Sequence, residues 1–228
     1  MLFRSRETGE FTRYQHDPEN LESLPDNNVG SFFQDDSGMI WLGTHDGLSR
    51  FDQATGRFER YQHDPEVTDS ISHNIVFSIH QDSSGQIWFG TWGGGLNLYQ
   101  PEIDGFKHYR ARDGLPNEVI YGIMEDEDGY LWLTTNNGLS RFDPVAETFV
   151  NFDQADGLQS NEFSYNGYFQ SDSGEMFIGG INGFNAFDPQ EIGLSAFSAP
   201  IVLTSLSVNG QPIDLNGEVV LDWPTNGF

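Results

Sequence analysis

An all-β fold of about four antiparallel, four-stranded units is predicted by three observations. A phrase recurs four times: Gln34 to Asp52 (QDDSGMIWLGTHDGLSRFD) returns at Gln81–Gln100, Glu125–Asp143 and Gln170–Asp188. The turn glycines Gly38, Gly85, Gly129 and Gly174 stand 47, 44 and 45 residues apart. An aromatic follows each glycine at the same distance: Trp41, Trp88, Trp132 and Phe177. A period of this length in a strand-rich chain marks the blades of a β-propeller.

Within each repeat the elements follow from local chemistry. The innermost strand is apolar, at Val29–Phe33, Ile75–Ile79, Val119–Met124 and Phe163–Phe169. Asp and Gly then supply the turn in DDSG, DSSG, DEDG and SDSG. The second strand carries the large ring: Met39–Gly43, Gln86–Gly90, Tyr130–Thr134 and Glu175–Gly179. A short loop ending in Gly leads to the third strand at Leu48–Phe51, Leu96–Tyr99, Leu139–Phe142 and Phe184–Phe187. Outer strands are expected at Phe58–Gln62, Phe106–Arg110 and Phe149–Phe152, whereas the fourth repeat has none of this type. Turn-punctuated strands of four to six residues fit such blades.

The ends differ from the repeats. Residues 1–10 are polar and expected to fray, and Phe11–Gln15 (FTRYQ) matches the outer strand FERYQ at Phe58–Gln62. The first copy thus reads as the last strand of a preceding blade, with three strands missing, so the chain resembles a piece of a larger propeller. Beyond Asp188-Pro189 the alternation of Ile201, Leu203, Leu206 and Val208, the hairpin signal Asn209-Gly210 and the strand Val219–Leu221 suggest the opening of a truncated β-sandwich. The expected divisions are 1–16 for the terminal segment and preceding outer strand, 17–195 for four blades, and 196–228 for the stub.

Composition narrows the function. Thirty-five acids against 10 bases give a net charge of -25. That balance opposes nucleic-acid binding, which needs Lys and Arg to displace counterions, and opposes contact with an anionic membrane. No cysteine is present, which excludes disulfides and thiolate sites. No apolar run approaches the ~18 residues of a spanning helix, and MLFRSRETGEF has no apolar core of a signal peptide.

By fold analogy, ligands bind a propeller on the face made by the loops between second and third strands and between successive blades. Candidate residues there are His45, Asp46, Trp92, Asn136, Asn137 and Asn182 from the first set, and His73, Asn117 and Asn161 from the second. Amides suit sugar hydroxyls and an indole covers an apolar sugar face. Asn, Asp and Gly also serve turns for their own sake. Trp92, in TWGGG, has no turn role. The strand rings Trp41, Trp88, Trp132 and Phe177 are expected to pack between blades. The acidic hairpins are too short to wrap a calcium ion, which needs six or more oxygens over a longer pattern. The repeated Gln-His-Asp-Pro at 15–18 and 62–65 is read as structural, because no nucleophile recurs beside it. Neither metal nor cofactor is expected.

The phrases DSGMIWLGTHDGL, DSSGQIWFGTWGGGL and DEDGYLWLTTNNGL resemble the two-component-regulator propeller repeats, which form sensor regions of hybrid histidine kinases and related receptors. The stretch SNEFSYNGYFQSDSGEMFIGGINGFNAFDPQ is similar to the last blade before an Ig-like module named for three tyrosines, and APIVLTSLSVNGQPI to the start of that module. The resemblance covers roughly residues 11–215. It implies receptors with two propellers, a sandwich, a membrane helix and a kinase or cyclase output. The role it implies here is extracytoplasmic ligand sensing, periplasmic or extracellular, with no catalysis in these residues.

Two other functions compete. A polysaccharide lyase or hydrolase would use Glu118 and Glu162, each following an Asn, with Trp92 as platform. A scaffold would bind protein alone. An open arc of blades also exposes apolar faces, which invites missing blades or another copy of the chain as partners.

Overall fold

The computed structural model describes residues 2–4, 9–192, 206–208 and 211–213, with side chains described within 9–192. The chain forms two compact units, 1–192 and 193–228. In the second, strands Leu206–Val208 and Gln211–Ile213 pair antiparallel. Asn209-Gly210, Val219–Leu221 and the rest of the expected sandwich stub lie outside the described residues.

The first unit is all-β. It opens with β1 (Leu2–Arg4) and β2 (Phe11–Arg13). Blade 1 is β3 (Val29–Gln34), β4 (Ile40–Thr44), β5 (Gly47–Asp52) and β6 (Arg57–Tyr61). Blade 2 is β7 (Val76–Gln81), β8 (Ile87–Thr91), β9 (Leu96–Gln100) and β10 (Gly105–Tyr109). Blade 3 is β11 (Ile120–Glu125), β12 (Leu131–Thr135), β13 (Leu139–Asp143) and β14 (Thr148–Phe152). Blade 4 has three strands, β15 (Phe163–Gln170), β16 (Met176–Gly180) and β17 (Gly183–Phe187). Each blade is an antiparallel meander, and the propeller arrangement follows the 47-, 44- and 45-residue spacings of the sequence. The hairpin glycines sit at φ +87, +89, +83 and +89, where a Cβ is strained.

The N-terminal strand departs from expectation. Leu2–Arg4 does not fray; it pairs with β2 through Leu2↔Arg13, Phe3↔Thr12 and Arg4↔Phe11. Adding 47 to each number gives Ser49↔Arg60, Arg50↔Glu59 and Phe51↔Phe58, the register of β5 on β6. The segment therefore supplies both the third and the outer strand of a preceding blade, where the sequence suggested only the outer one. The polar side chains of residues 1–10 conceal a strand that backbone pairing supports.

The core lies between blades. Trp41, Leu48 and Tyr61 of blade 1 pack on Val76, Phe89, Tyr99 and Phe106 of blade 2. Trp88, Leu96 and Tyr109 repeat this against Ile120, Leu133 and Phe142 of blade 3. Trp132 and Leu139 do so against Phe163, Met176 and Ile178 of blade 4. The strand tryptophans are fully buried, as their regular spacing predicts.

Each indole is also tethered. Trp41 Nε1 donates to Asp35 Oδ2 at 2.8 Å, and Trp88 and Trp132 donate to Asp82 and Asp126 at 2.7 Å. The other oxygen of each Asp accepts backbone N–H groups of its hairpin, as from Ser84 and Gln86 to Asp82. In blade 4 the ring is Phe177, which has no N–H, and the Asp position is Ser171. The turn aspartates are thus engaged in holding tryptophans, which explains their recurrence without an ion.

Candidate ligand face at the propeller axis

The loops between second and third strands are rigid because one Thr holds each. Thr44, Thr91 and Thr135 donate through Oγ1 to the carbonyls of Gly47, Gly95 and Gly138 at 2.7, 3.0 and 2.7 Å. The same hydroxyls accept from Asp46, Gly94 and Asn137 N–H. Each loop is then pinned to the entry of the next blade: Gly47 N to Asn74 O, Gly95 N to Glu118 O and Gly138 N to Asn161 O. The loop tips and the blade entries therefore form one hydrogen-bonded rim.

This rim places the sequence-predicted residues as follows. Asn161 Oδ1 accepts Gln154 N at 2.7 Å, as Asn74 accepts His63 N, so it anchors the chain as it enters the blade. His73 Nδ1 and Asn117 Oδ1 accept the N–H two residues on, from Ile75 and Val119. Burial pushes the His73 imidazole below its ordinary value, with His63 adding to the effect. Asp46 accepts from Gln62 and Asn74, while Asn182 is tied to Gln159. His45 Nδ1 lies 3.1 Å from Asn28 Nδ2. Asn137 Nδ2 reaches Pro116 O at 3.5 Å. Most of these side chains thus carry structural bonds as well as lining the rim.

Trp92 stands apart. Its N–H bonds Ile75 O at 3.0 Å and Gly93 N bonds Glu118 O at 2.9 Å, so the backbone is fixed. Yet its ring remains 52% exposed. It leans on Phe77 of the inner strand at 5.2 Å between centroids. Phe77 also meets Tyr121 at 5.6 Å and Tyr165 at 4.6 Å. Tyr121 OH points to Asn136 Oδ1 at 3.5 Å, and burial followed by the Glu162 charge holds its phenol above the ordinary value.

The structure thus brings Trp92 and Asn136 together with three rings that the sequence reading missed. Tyr165 arrives through a large bulge. The pairing steps from Phe163↔Gly180 to Tyr168↔Ile178, so Ser164–Gly167 loops out, with Asn166 at φ +57. Tyr165 then reaches across the axis and donates to Gly30 O of blade 1 at 2.7 Å. A Cβ added at Gly30 would lie 2.6 Å from the Tyr165 hydroxyl, so the ring would have to shift to admit it. The extra length of the segment FSYNGYFQ, eight residues against six in the other inner strands, was the available signal.

Glu118 and Glu162 prove not to be equivalent. Glu118 takes the anchoring place of Asn74, accepting Ala111 N at 3.2 Å, with Arg110 Nη1 4.0 Å away. Glu162 sits one position further along the repeat and is exposed. A cleft of about 490 Å³ lies elsewhere, between the hairpins of blades 1 and 2, beside Arg50, Tyr99 and Gln86. Its one cation, Arg50, is already bonded to Glu59 and Tyr99.

The family model of the two-component regulator propeller matches residues 23–46, 70–93 and 114–137, each spanning a blade entry, inner strand, hairpin and second strand. Histidine kinase P4 of Formosa agariphila is 27% identical over 213 residues, which is 93% of this chain but only 16% of the relative's length. The extracellular domain of the hybrid two component system BT4673 from B. thetaiotaomicron aligns with a TM-score of 0.69 at 19% identity, covering 91% of this chain and 32% of that one. Virginiamycin B lyase from Staphylococcus aureus shares the fold at a TM-score of 0.59 and 17% identity, over 82% of this chain and 62% of the lyase. Among the described residues no helix is long and apolar enough to cross a membrane.

Proposed function

We propose that the chain is a ligand-sensing propeller module of a bacterial two-component-type transmembrane sensor, working outside the cytoplasm without catalysis of its own. The repeat match, the histidine kinase relative and the likeness to an extracellular domain support the setting. The observation that carries the ligand assignment is Trp92, a ring held rigidly by backbone bonds yet left open over an aromatic bed. An indole face backed by Phe77, with the Asn136 amide further along the same rim beyond Tyr121, suits a sugar, with the amide for hydroxyls and the indole for the C–H face. An oligosaccharide is therefore the ligand class the face fits best.

Titration calorimetry against a panel of oligosaccharides tests this. Binding should be lost, by about tenfold or more, in Trp92→Ala, while the unfolding midpoint stays put because the ring is exposed. Binding unaffected by that change would overturn the assignment. Release of reducing ends that stops in Glu162→Gln would replace the sensor by an enzyme, the reading that the lyase-like fold keeps open.

A further inference from the structure

Gly30, Phe77 and Tyr121 hold the same place in successive inner strands, 47 and 44 residues apart like the hairpin glycines. Blade 1 has no ring at this place, and the Tyr165 hydroxyl of blade 4 lies against it instead. Phe77 is the common floor of Trp92, Tyr121 and Tyr165, whose centroids are 5.2, 5.6 and 4.6 Å from its own. Phe77 is buried, whereas Trp92 and Tyr165 are exposed.

A carboxylate joins these rings from the entry of blade 4. Trp92 ends its strand in an antiparallel bridge with Val119, and Asn136 and Glu162 hold the same two places one repeat later. Glu162 therefore stands at the junction where Tyr121 OH points to Asn136 Oδ1, and its charge helps to hold that phenol above the ordinary value. The Glu162 backbone bonds Ser160, Gln159 and Ile181, but its exposed carboxylate accepts no hydrogen bond among the described residues. The nearby cations belong to outer strands: Arg60 lies on β6, and Arg110 and Arg112 follow β10. Three strand spacings put an outer strand about 14 Å from an inner one. Arg60 is committed to Ser23 and Leu24, and Arg110 faces Glu118. The His73 imidazole on the same rim, held below its ordinary value by burial, is neutral at pH 7. Elsewhere the chain covers rings with its own cations: Arg50 over Trp41, Lys107 over Tyr109 and Arg141 over Tyr130, at 5.6, 5.1 and 4.3 Å. Among the described residues no such cation covers Trp92, Tyr121 or Tyr165.

We infer that the axial rings and Glu162 seat a cation, so that the face selects an amino sugar with a free ammonium over its N-acetylated form and over a uronic acid. The inference rests on the oligosaccharide reading above and names the sugar's charge. An ammonium is attracted to the negative face of a ring within about 6 Å. Its three N–H donors also suit a carboxylate, which only accepts. N-acetylation removes the charge and leaves the Glu162 carboxylate without its partner. A uronate brings a like charge to Glu162, with no inner-strand cation of blades 2–4 to offset it.

Calorimetry with three β-1,4-linked tetramers tests the selection: glucosamine, N-acetylglucosamine and glucuronate, with tetramethylammonium chloride as a probe that carries no sugar. The glucosamine tetramer should bind at least about fivefold more tightly than the N-acetylated one, and the glucuronate weakest. Glu162→Gln should abolish that preference by weakening the glucosamine tetramer alone. Glu66→Gln, in the outer connection after β6, should leave the preference intact. Circular dichroism of both variants should match the parent, because both side chains are exposed. Equal affinity for the three tetramers, a preference kept in Glu162→Gln, or one lost as fully in Glu66→Gln would overturn the cation seat. A neutral tetramer bound through Trp92 without preference for the ammonium form would leave the sugar reading standing and sink only this inference. Tetramethylammonium bound in a Trp92- and Glu162-dependent way, with no tetramer bound, would support the seat and overturn the sugar reading. Silence from all four probes would overturn both.

Discussion

The Asp–Trp tie shows how one side chain sets both a turn and a core. Asp82 Oδ2 accepts the buried Trp88 Nε1 while Oδ1 accepts Ser84 and Gln86 N–H. Removing the ring by Trp88→Ala should cost on the order of 3–5 kcal/mol in denaturant unfolding. Trp88→Phe strands a carboxylate, and Asp82→Ser strands an indole N–H. The double variant, which is the natural Ser171/Phe177 pairing, should cost less than the two singles added, by about 1 kcal/mol. Strict additivity would show that the tie contributes nothing of its own. His80 offers a second residue-scale test. It occupies the forward-facing place that Phe33, Met124 and Phe169 hold in other blades, with Nε2 3.5 Å from Glu125 Oε2. Burial lowers its pKa from 6.5, and Glu125 and Asp82 offset this only in part. The unfolded chain therefore binds a proton that the folded chain resists. Stability from this group is full above pH 6.5 and falls as the pH drops towards the depressed folded value. His80→Met should flatten the decline of the urea midpoint between pH 7 and pH 5, and an unchanged slope would assign that decline elsewhere.

At the scale of elements, most strands were legible because the apolar alternation and Asp–x–x–Gly turns are strictly local signals. Observed boundaries differ from the sequence reading by about one residue, as second strands begin after the turn has closed. The bulge in β15 was legible only through the extra length of FSYNGYFQ, and its position was not, since only a tertiary contact rewards the excursion. The candidate site was half legible for the same reason. Trp92 declares itself by having no turn role, but Phe77 and Tyr121 read as inner-strand core, and nothing local says that Tyr165 crosses the axis. That crossing gives its own prediction. Tyr165→Phe removes one hydrogen bond and should cost about 1 kcal/mol. Gly30→Ala must displace the ring and should cost more, with loss of the near-ultraviolet dichroism of the aromatic cluster. If Gly30→Ala proved as mild as Tyr165→Phe, the hydroxyl would not be seated against Gly30.

For the first unit, core contacts run mainly between adjacent blades, and Tyr165 of blade 4 bridges further, donating to Gly30 O of blade 1 across 135 positions of sequence and meeting the Phe77 ring of blade 2. Stability in such an array is close to a sum of blade terms and nearest-neighbour interface terms. Damage at one interface should therefore stay near it. Trp41 lies in the core shared by blades 1 and 2, in contact with Tyr61, Phe89 and Tyr99. Trp41→Ala should remove on the order of 3–5 kcal/mol from that interface. Native-state hydrogen exchange should then show lost protection in β4, β5, β8 and β9, with β12, β13 and β16 close to the parent chain. The Tyr165 link makes a second-order claim: in a Trp41→Ala/Tyr165→Phe chain, protection in β16 should begin to fall as well, because blade 4 no longer holds blade 1 across the axis. Uniform loss of protection in the single variant would mean that the blades unfold as one body, and the nearest-neighbour account would fail.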